Sequence, residues 1–181
     1  MSHVCARCPR LLGVSCCEAP EGQALATLTD EDVRRISGET RLSAGRFVVD
    51  EWLSPEEAQA YEEQRPLFRG YFRRGSRRRT LKVEKGACVF LDRNSGCRLS
   101  EAARPLACRL YPFHLLPDGS WSILPPRYGV LSEAREGRDG CLAVEEADGM
   151  EALHAAFSLS PEALESLAAA LRAAVARHDR G

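Results

Sequence analysis

The chain has 181 residues, a formal net charge of −1, 28% charged and 44% apolar residues. That balance suits one globular domain with room for a core, and excludes a disordered chain or one globally poised for nucleic acid. No apolar run approaches the roughly 20 residues a bilayer crossing needs, and the first 17 residues lack a secretory pattern, so a cytoplasmic location is expected.

Residues 1–18 read as irregular backbone shaped by what its cysteines bind. Cys5-Ala-Arg-Cys8 is a CxxC turn, and Cys16-Cys17 follow after seven residues. A two-residue spacer lets two thiolates face one ion, as at zinc and iron–sulfur sites. Thioredoxin-like redox use of CxxC needs a strand before it, and only four residues precede Cys5. Thr29-Asp30-Glu31-Asp32, ahead of Val33 and Ile36, predicts a helix opened by a capping box. Ser43 is a candidate cap for a segment holding Phe47, Val48, Trp52 and Leu53. Ser54-Pro55-Glu56-Glu57 opens another helix, ended by Pro66. These short helices are expected to form the wall between two groups of cysteines.

Residues 65–82 carry eight Arg or Lys and no acid, with Phe68, Tyr71 and Phe72 interleaved. One reading makes this a contact for nucleic acid or an acidic protein, running through Arg65 or Arg69 to Lys82. The favoured one is a loop or hairpin whose arginines pair with surface Asp and Glu, since a charge cluster alone has little specificity.

Thr80 to Glu84 predicts a short strand and Cys88 to Leu91 a second, closed by the turn Asp92-Arg-Asn-Ser-Gly96. In that hairpin Leu91 faces Cys97, and Cys88 lies about 10 Å further along at ~3.3 Å per residue. Ser100 caps a short helix, Glu101 to Arg104, which Pro105 stops. Phe113 is followed by a hairpin, His114 to Leu124, around Pro117-Asp118-Gly119. Arg127 to Gly140 reads as loop with a helical turn, leading to Cys141. From Ser160-Pro161-Glu162 a helix carries Leu164, Leu167, Ala168, Leu171 and Val175 on one face, with Arg172, Arg177 and His178 near its carboxyl end.

Eight cysteines in a reducing compartment favour metal ligation or redox chemistry over disulfides. Eight buried thiols packed as small hydrophobes would suit Cys141 best and the clustered cysteines poorly. Successive side chains on extended backbone point opposite ways, which would let Cys16 and Cys17 serve different centres. His114 could replace a thiolate, though local hydrogen bonding is the commoner fate of such a histidine. Arg7, Arg104 and Arg109 could offset thiolate charge, Arg7 least of the three.

CxxC, a CC pair, Cys-Val-Phe-Leu-Asp, a cysteine after a glycine turn, and Arg104-Pro105-Leu-Ala-Cys108-Arg109-Leu-Tyr-Pro112-Phe113 together resemble the YkgJ or CxxCxxCC family. That family is described as zinc- or iron-chelating cysteine-cluster proteins. The resemblance runs from Cys5 to Cys141; the gap between Cys8 and Cys16 is longer than the family's compact spacing. It implies a metal or cluster site and no particular reaction. A related domain occurs in flagellin lysine N-methylases, but this chain lacks a methyltransferase's Gly-rich strand–loop–helix, so that activity is not carried over.

The expectation is therefore an α+β, helix-rich domain of short hairpins over residues 1–157, with the helix of 158–181 packed on it. Its candidate ligands are Cys5, Cys8, Cys16, Cys17, Cys88, Cys97, Cys108 and Cys141, holding zinc or iron, the latter as a [4Fe–4S] cluster in one form. An iron–sulfur enzyme acting on proteins or in redox chemistry, and an interaction module built on Arg65–Lys82, are the alternatives.

Overall fold

Short antiparallel hairpins and helices alternate along the chain, an α+β arrangement seen in a computed structural model that describes residues 15–20, 22–124, 143 and 146–178. Cys5, Cys8, Cys141 and the loop expected over 127–140 lie outside the described residues. No helix among the described residues is long and apolar enough to cross a membrane.

The first helix, α1, spans Asp30–Thr40. Thr29 Oγ1 accepts from the Asp32 amide at 3.2 Å while the Asp32 carboxylate accepts from the Thr29 amide at 2.8 Å. This is the reciprocal capping box the sequence signals, and it satisfies two backbone donors that a helix start otherwise leaves open. The second helix, α2 (Pro55–Gln64), has the same device at Ser54 and Glu57.

Between them the expectation needs correcting. Residues 44–46 form one 3-10 turn, and Val48–Trp52 is a strand, β1, not part of a helical wall. It pairs antiparallel with β2 (Arg77–Leu81), in the register Val48↔Leu81 to Trp52↔Arg77. The reason is charge and branching across the pair. β-branched Val48 and Val49 suit a strand, while Asp50 and Glu51 stand opposite Arg79 and Arg78. Arg78 Nη2 lies 2.6 Å from Glu51, and Arg79 pairs with Asp30. Lys82 reaches Glu84 at 2.6 Å. The carboxyl half of the basic stretch is thus a strand, and its Arg77, Arg78 and Arg79, with Lys82 beyond it, are paired with neighbouring acids. Its aromatic residues Phe68 and Tyr71 turn inward, to 7% and 2% exposure.

Three small hairpins follow. β3 (Val83–Glu84) pairs with β4 (Ala87–Cys88) through a two-residue turn, Lys85-Gly86, with φ of 53° and 75°. Both residues sit in the left-handed region that such a turn demands, and glycine at the second position relieves the strain. β5 (Leu91–Asp92) pairs with β6 (Gly96–Cys97), and Leu91 does face Cys97. The continuous strand expected over 88–91 is interrupted at Val89 and Phe90, which form a turn that buries Phe90. Residues 101–104 are a turn on Ser100 and not a helix; the helix, α3, comes after Pro105, at Leu106–Leu110. β7 (Phe113–Leu115) and β8 (Trp121–Ile123) form the expected hairpin. Two helices close the described chain, α4 (Gly149–Ala156), unpredicted by the sequence reading, and α5 (Pro161–Arg177).

Two apolar cores result. One gathers the aromatic residues of α2 and 66–72 with Phe113, Phe157 and the Leu164–Leu167–Leu171–Val175 face of α5. The other gathers Leu28, Ile36, Phe47, Leu81, Phe90 and Leu99, with cysteines packed into it. Tyr71 joins them: its ring lies in the first core while its hydroxyl donates to the Leu28 carbonyl at 2.7 Å. His178, at the end of α5, stacks on Tyr71 at 4.1 Å and lies 3.0 Å from Asp30 of α1.

Candidate metal centre

The sequence sets Cys17 and Cys88 seventy-one positions apart, and a strand-like association brings them together. Residues 17–19 lie along the open edge of β4: the Cys88 amide donates to the Cys17 carbonyl at 2.7 Å, and the Ala19 amide to the Gly86 carbonyl at 3.0 Å. Glu18 bridges Ala87 between them. Residues 26–28 do the same on the far edge of β2, with the Leu81 amide donating to Ala26 and the Leu28 amide to Arg79. Each two-stranded sheet thereby gains a third line of hydrogen bonds, and the amino-terminal segment is laced onto the hairpins.

Cys97 comes in on β6 and Cys108 on α3. A five-residue helix holds itself with almost no internal hydrogen bonding, so its position has another cause. The buried Asp32 carboxylate, 0% exposed, accepts from the Leu106 amide at 3.0 Å, at the start of α3. The same carboxylate takes Thr29 Oγ1 at 2.8 Å and pairs with Arg35, which also donates to the Arg104 carbonyl at 3.3 Å. Asp32 thus caps its own helix and the one that carries Cys108. The capping-box motif points to the first role; nothing local to the sequence points to the second.

Cys17, Cys88, Cys97 and Cys108 are free thiols that line one cavity of about 490 Å³, and Cys16 lines it as well. They feel one another. Burial pushes the Cys17 thiol up to about 11, reinforced by Cys97 and Cys16, while Ser15 and Arg104 act the other way. Burial likewise raises Cys88 to about 12, against a hydrogen bond from the Phe90 backbone, with Cys17 and Cys97 adding to the rise. Cys108 is raised well above the ordinary thiol value by burial first, then by Cys17, Cys88, Cys97 and Asp32. The turn at Val89 and Phe90 interrupts the straight strand between Cys88 and Leu91, the partner of Cys97. Thiols in this state are protonated at neutral pH until a cation displaces the proton.

Cys16 stands differently from its neighbour. Tyr111 Oη donates to its sulfur at 3.1 Å, from the segment after α3. Among the described residues no three His, Cys, Asp or Glu side chains form a ready-made ligand set. The thiols are grouped without being closed on a point. The donor chemistry still fits: an all-sulfur set suits zinc or an iron–sulfur cluster and no hard cation. His114 lines the same cavity, but its imidazole bonds the Gln64 backbone, and partial burial followed by Arg65 holds it below its usual value.

A family model described as "CxxCxxCC: Putative zinc- or iron-chelating domain" matches residues 4–128. No curated protein and no solved structure matches the chain.

Proposed function

We propose, on the premise that this chain belongs to the CxxCxxCC family, that it binds zinc or iron as thiolate complexes, with Cys17, Cys88, Cys97 and Cys108 forming one four-sulfur centre. One observation carries the reading. Five cysteines line a single cavity, and within it Cys17, Cys88 and Cys97, from three other segments, all act on the buried Cys108 thiol. Cys5, Cys8, Cys16 and Cys141 are the remaining candidate ligands, and they are numerous enough for a second centre. Zinc and a [4Fe–4S] cluster each take four thiolates.

The chain's own residues have definite tasks in this reading. Asp32 fixes the helix of Cys108, the Cys17–Cys88 backbone pair fixes two ligands against each other, and Arg104 beside Cys17 offsets developing thiolate charge. Bound metal would supply cross-linking in place of disulfides, or redox chemistry if iron. The end of the arginine stretch favours no interaction module, because Arg77, Arg78, Arg79 and Lys82 are each paired with a nearby carboxylate.

The test is metal content per chain with an absorption spectrum, on protein purified without oxygen or added metal. Brown protein with about four irons would identify a cluster; one or two zincs without colour would identify closed zinc sites. Cys88→Ser and Cys108→Ser should each lose the same centre, whereas Cys16→Ser should retain it. Folded protein with all eight thiols free and no metal overturns the reading.

A further inference from the structure

The cavity that holds the thiols has more wall than an ion requires. A four-thiolate zinc, with bonds of about 2.3 Å, occupies only a corner of some 490 Å³. The remaining wall has two characters. Leu25, Phe68, Leu110 and Leu171 make it apolar, and Arg65, Arg78, Arg104 and Arg109 make it cationic, against one lining carboxylate, Glu101.

The charges do not cancel. The Glu101 side chain is 81% exposed and stands 3.7 Å from Arg109, so water screens it. Arg78 is committed to Glu51. Arg65 lies over the Tyr61 ring at 4.5 Å, and Arg104 donates from Nε to the Leu99 carbonyl at 3.2 Å. Neither has a carboxylate partner among the described residues. Arg109 Nε is buried with no hydrogen-bond partner. A buried donor left unmade is costly, and a guanidinium fork is shaped for the paired oxygens of a carboxylate or phosphate. Apolar walls with a few convergent polar groups, at this volume, describe a small-molecule site.

We propose that the cavity binds a small organic oxyanion, a carboxylate or phosphate on an apolar body, beside the thiol cluster. Arg65, Arg104 and Arg109 receive the charged group, and the leucines and Phe68 receive the body. The site goes beyond metal binding and is separable from it. If the arginines existed only to offset thiolate charge, their loss would weaken metal retention and leave ligand binding absent throughout.

The experiment uses the full chain as purified, with metal content measured in every sample. 1-Naphthoate and its uncharged counterpart 1-naphthamide are titrated by fluorescence. The acid should bind at least about tenfold more tightly than the amide, since an oriented guanidinium–carboxylate pair is charge-assisted. Arg109→Gln and Arg65→Gln, on different segments, should each weaken the acid by about tenfold, leave the amide unchanged, and retain the parent metal content. Inorganic phosphate at millimolar concentration should compete with the acid only. Equal affinity for acid and amide overturns the proposal, and so do arginine variants that lose metal without altering the preference for the acid. Protein that prefers the acid yet holds no metal overturns the metal reading alone.

Discussion

The two cores of this protein are built from different materials. Among the described residues, the aromatic core buries 18 apolar residues and the cysteine-bearing core 10. The first is held by rings and a long helix: Tyr61, Phe68, Tyr71 and Phe72 meet edge to face at 5.0–5.9 Å, and α5 contributes a complete apolar face. The second has a single aromatic pair, Phe47 and Phe90 at 5.7 Å, and is otherwise made of two-residue strands and thiols, with Cys108 reaching it from α3, whose Leu106 and Leu110 lie in the first core. Strands and helices that short do not stand on their own. The comparison teaches where a metal would matter: in the core with too little apolar surface to fix its own geometry.

Removing metal should give the largest effect. Chelation should abolish amide-exchange protection through residues 83–97, while α5 keeps most of its protection. Structural thiolate sites contribute on the order of 10 kcal/mol to folding in small zinc domains. Simultaneous loss in both cores would break the distinction drawn here.

Next come two truncations, one in each core. Leu171→Ala, at a site 1% exposed, should cost about 2–5 kcal/mol by denaturant unfolding and leave metal stoichiometry unchanged. Asp32→Ala removes the acceptor shared by Leu106, Thr29 and Arg35. It should cost about 3 kcal/mol and speed metal transfer to a chelator. Equal metal retention in the two variants would mean that Asp32 does not position Cys108.

Tyr71→Phe tests the joint between the cores. It deletes a buried hydroxyl that donates to the Leu28 carbonyl and accepts from the Arg79 amide at 3.2 Å. The expected loss is about 1 kcal/mol, with broadening of the unfolding transition as the cores uncouple.

The smallest effect lies at the surface link between α1 and α5. Arg177 bonds Glu31 at 2.7 Å and holds its carboxyl below the usual range. A depressed carboxyl contributes stability above its ordinary value, near 4.5, and loses it as pH falls through the lowered one. Arg177→Ala should therefore lower stability by at most about 0.5 kcal/mol at pH 7, and the difference from the parent should vanish in acid. A difference that persists at low pH would assign the contact to packing.

Local signals were readable wherever the energy is local. The capping box of α1, the Ser54-Pro55 start of α2, the hairpin around Pro117-Asp118-Gly119, the apolar face of α5 and the facing of Leu91 and Cys97 follow from residues a few positions apart. β1 was misread because Val48–Trp52 carries no strand signal stronger than its flanking helix caps; its partner is an arginine strand some thirty positions away. α3 follows Pro105 instead of ending at it, because a proline opens a helix as readily as it ends one.

The sequence by itself determined the chemistry of this protein: how many thiols, in which clusters, flanked by which arginines, and the family to which they belong. Tertiary structure alone decided which thiol-bearing segments lie side by side. Cys17 reaches Cys88 through a backbone pairing along the edge of β4, and Cys108 is positioned by a carboxylate on α1. Neither arrangement has a local signature, since each rests on a few hydrogen bonds between segments some seventy residues apart.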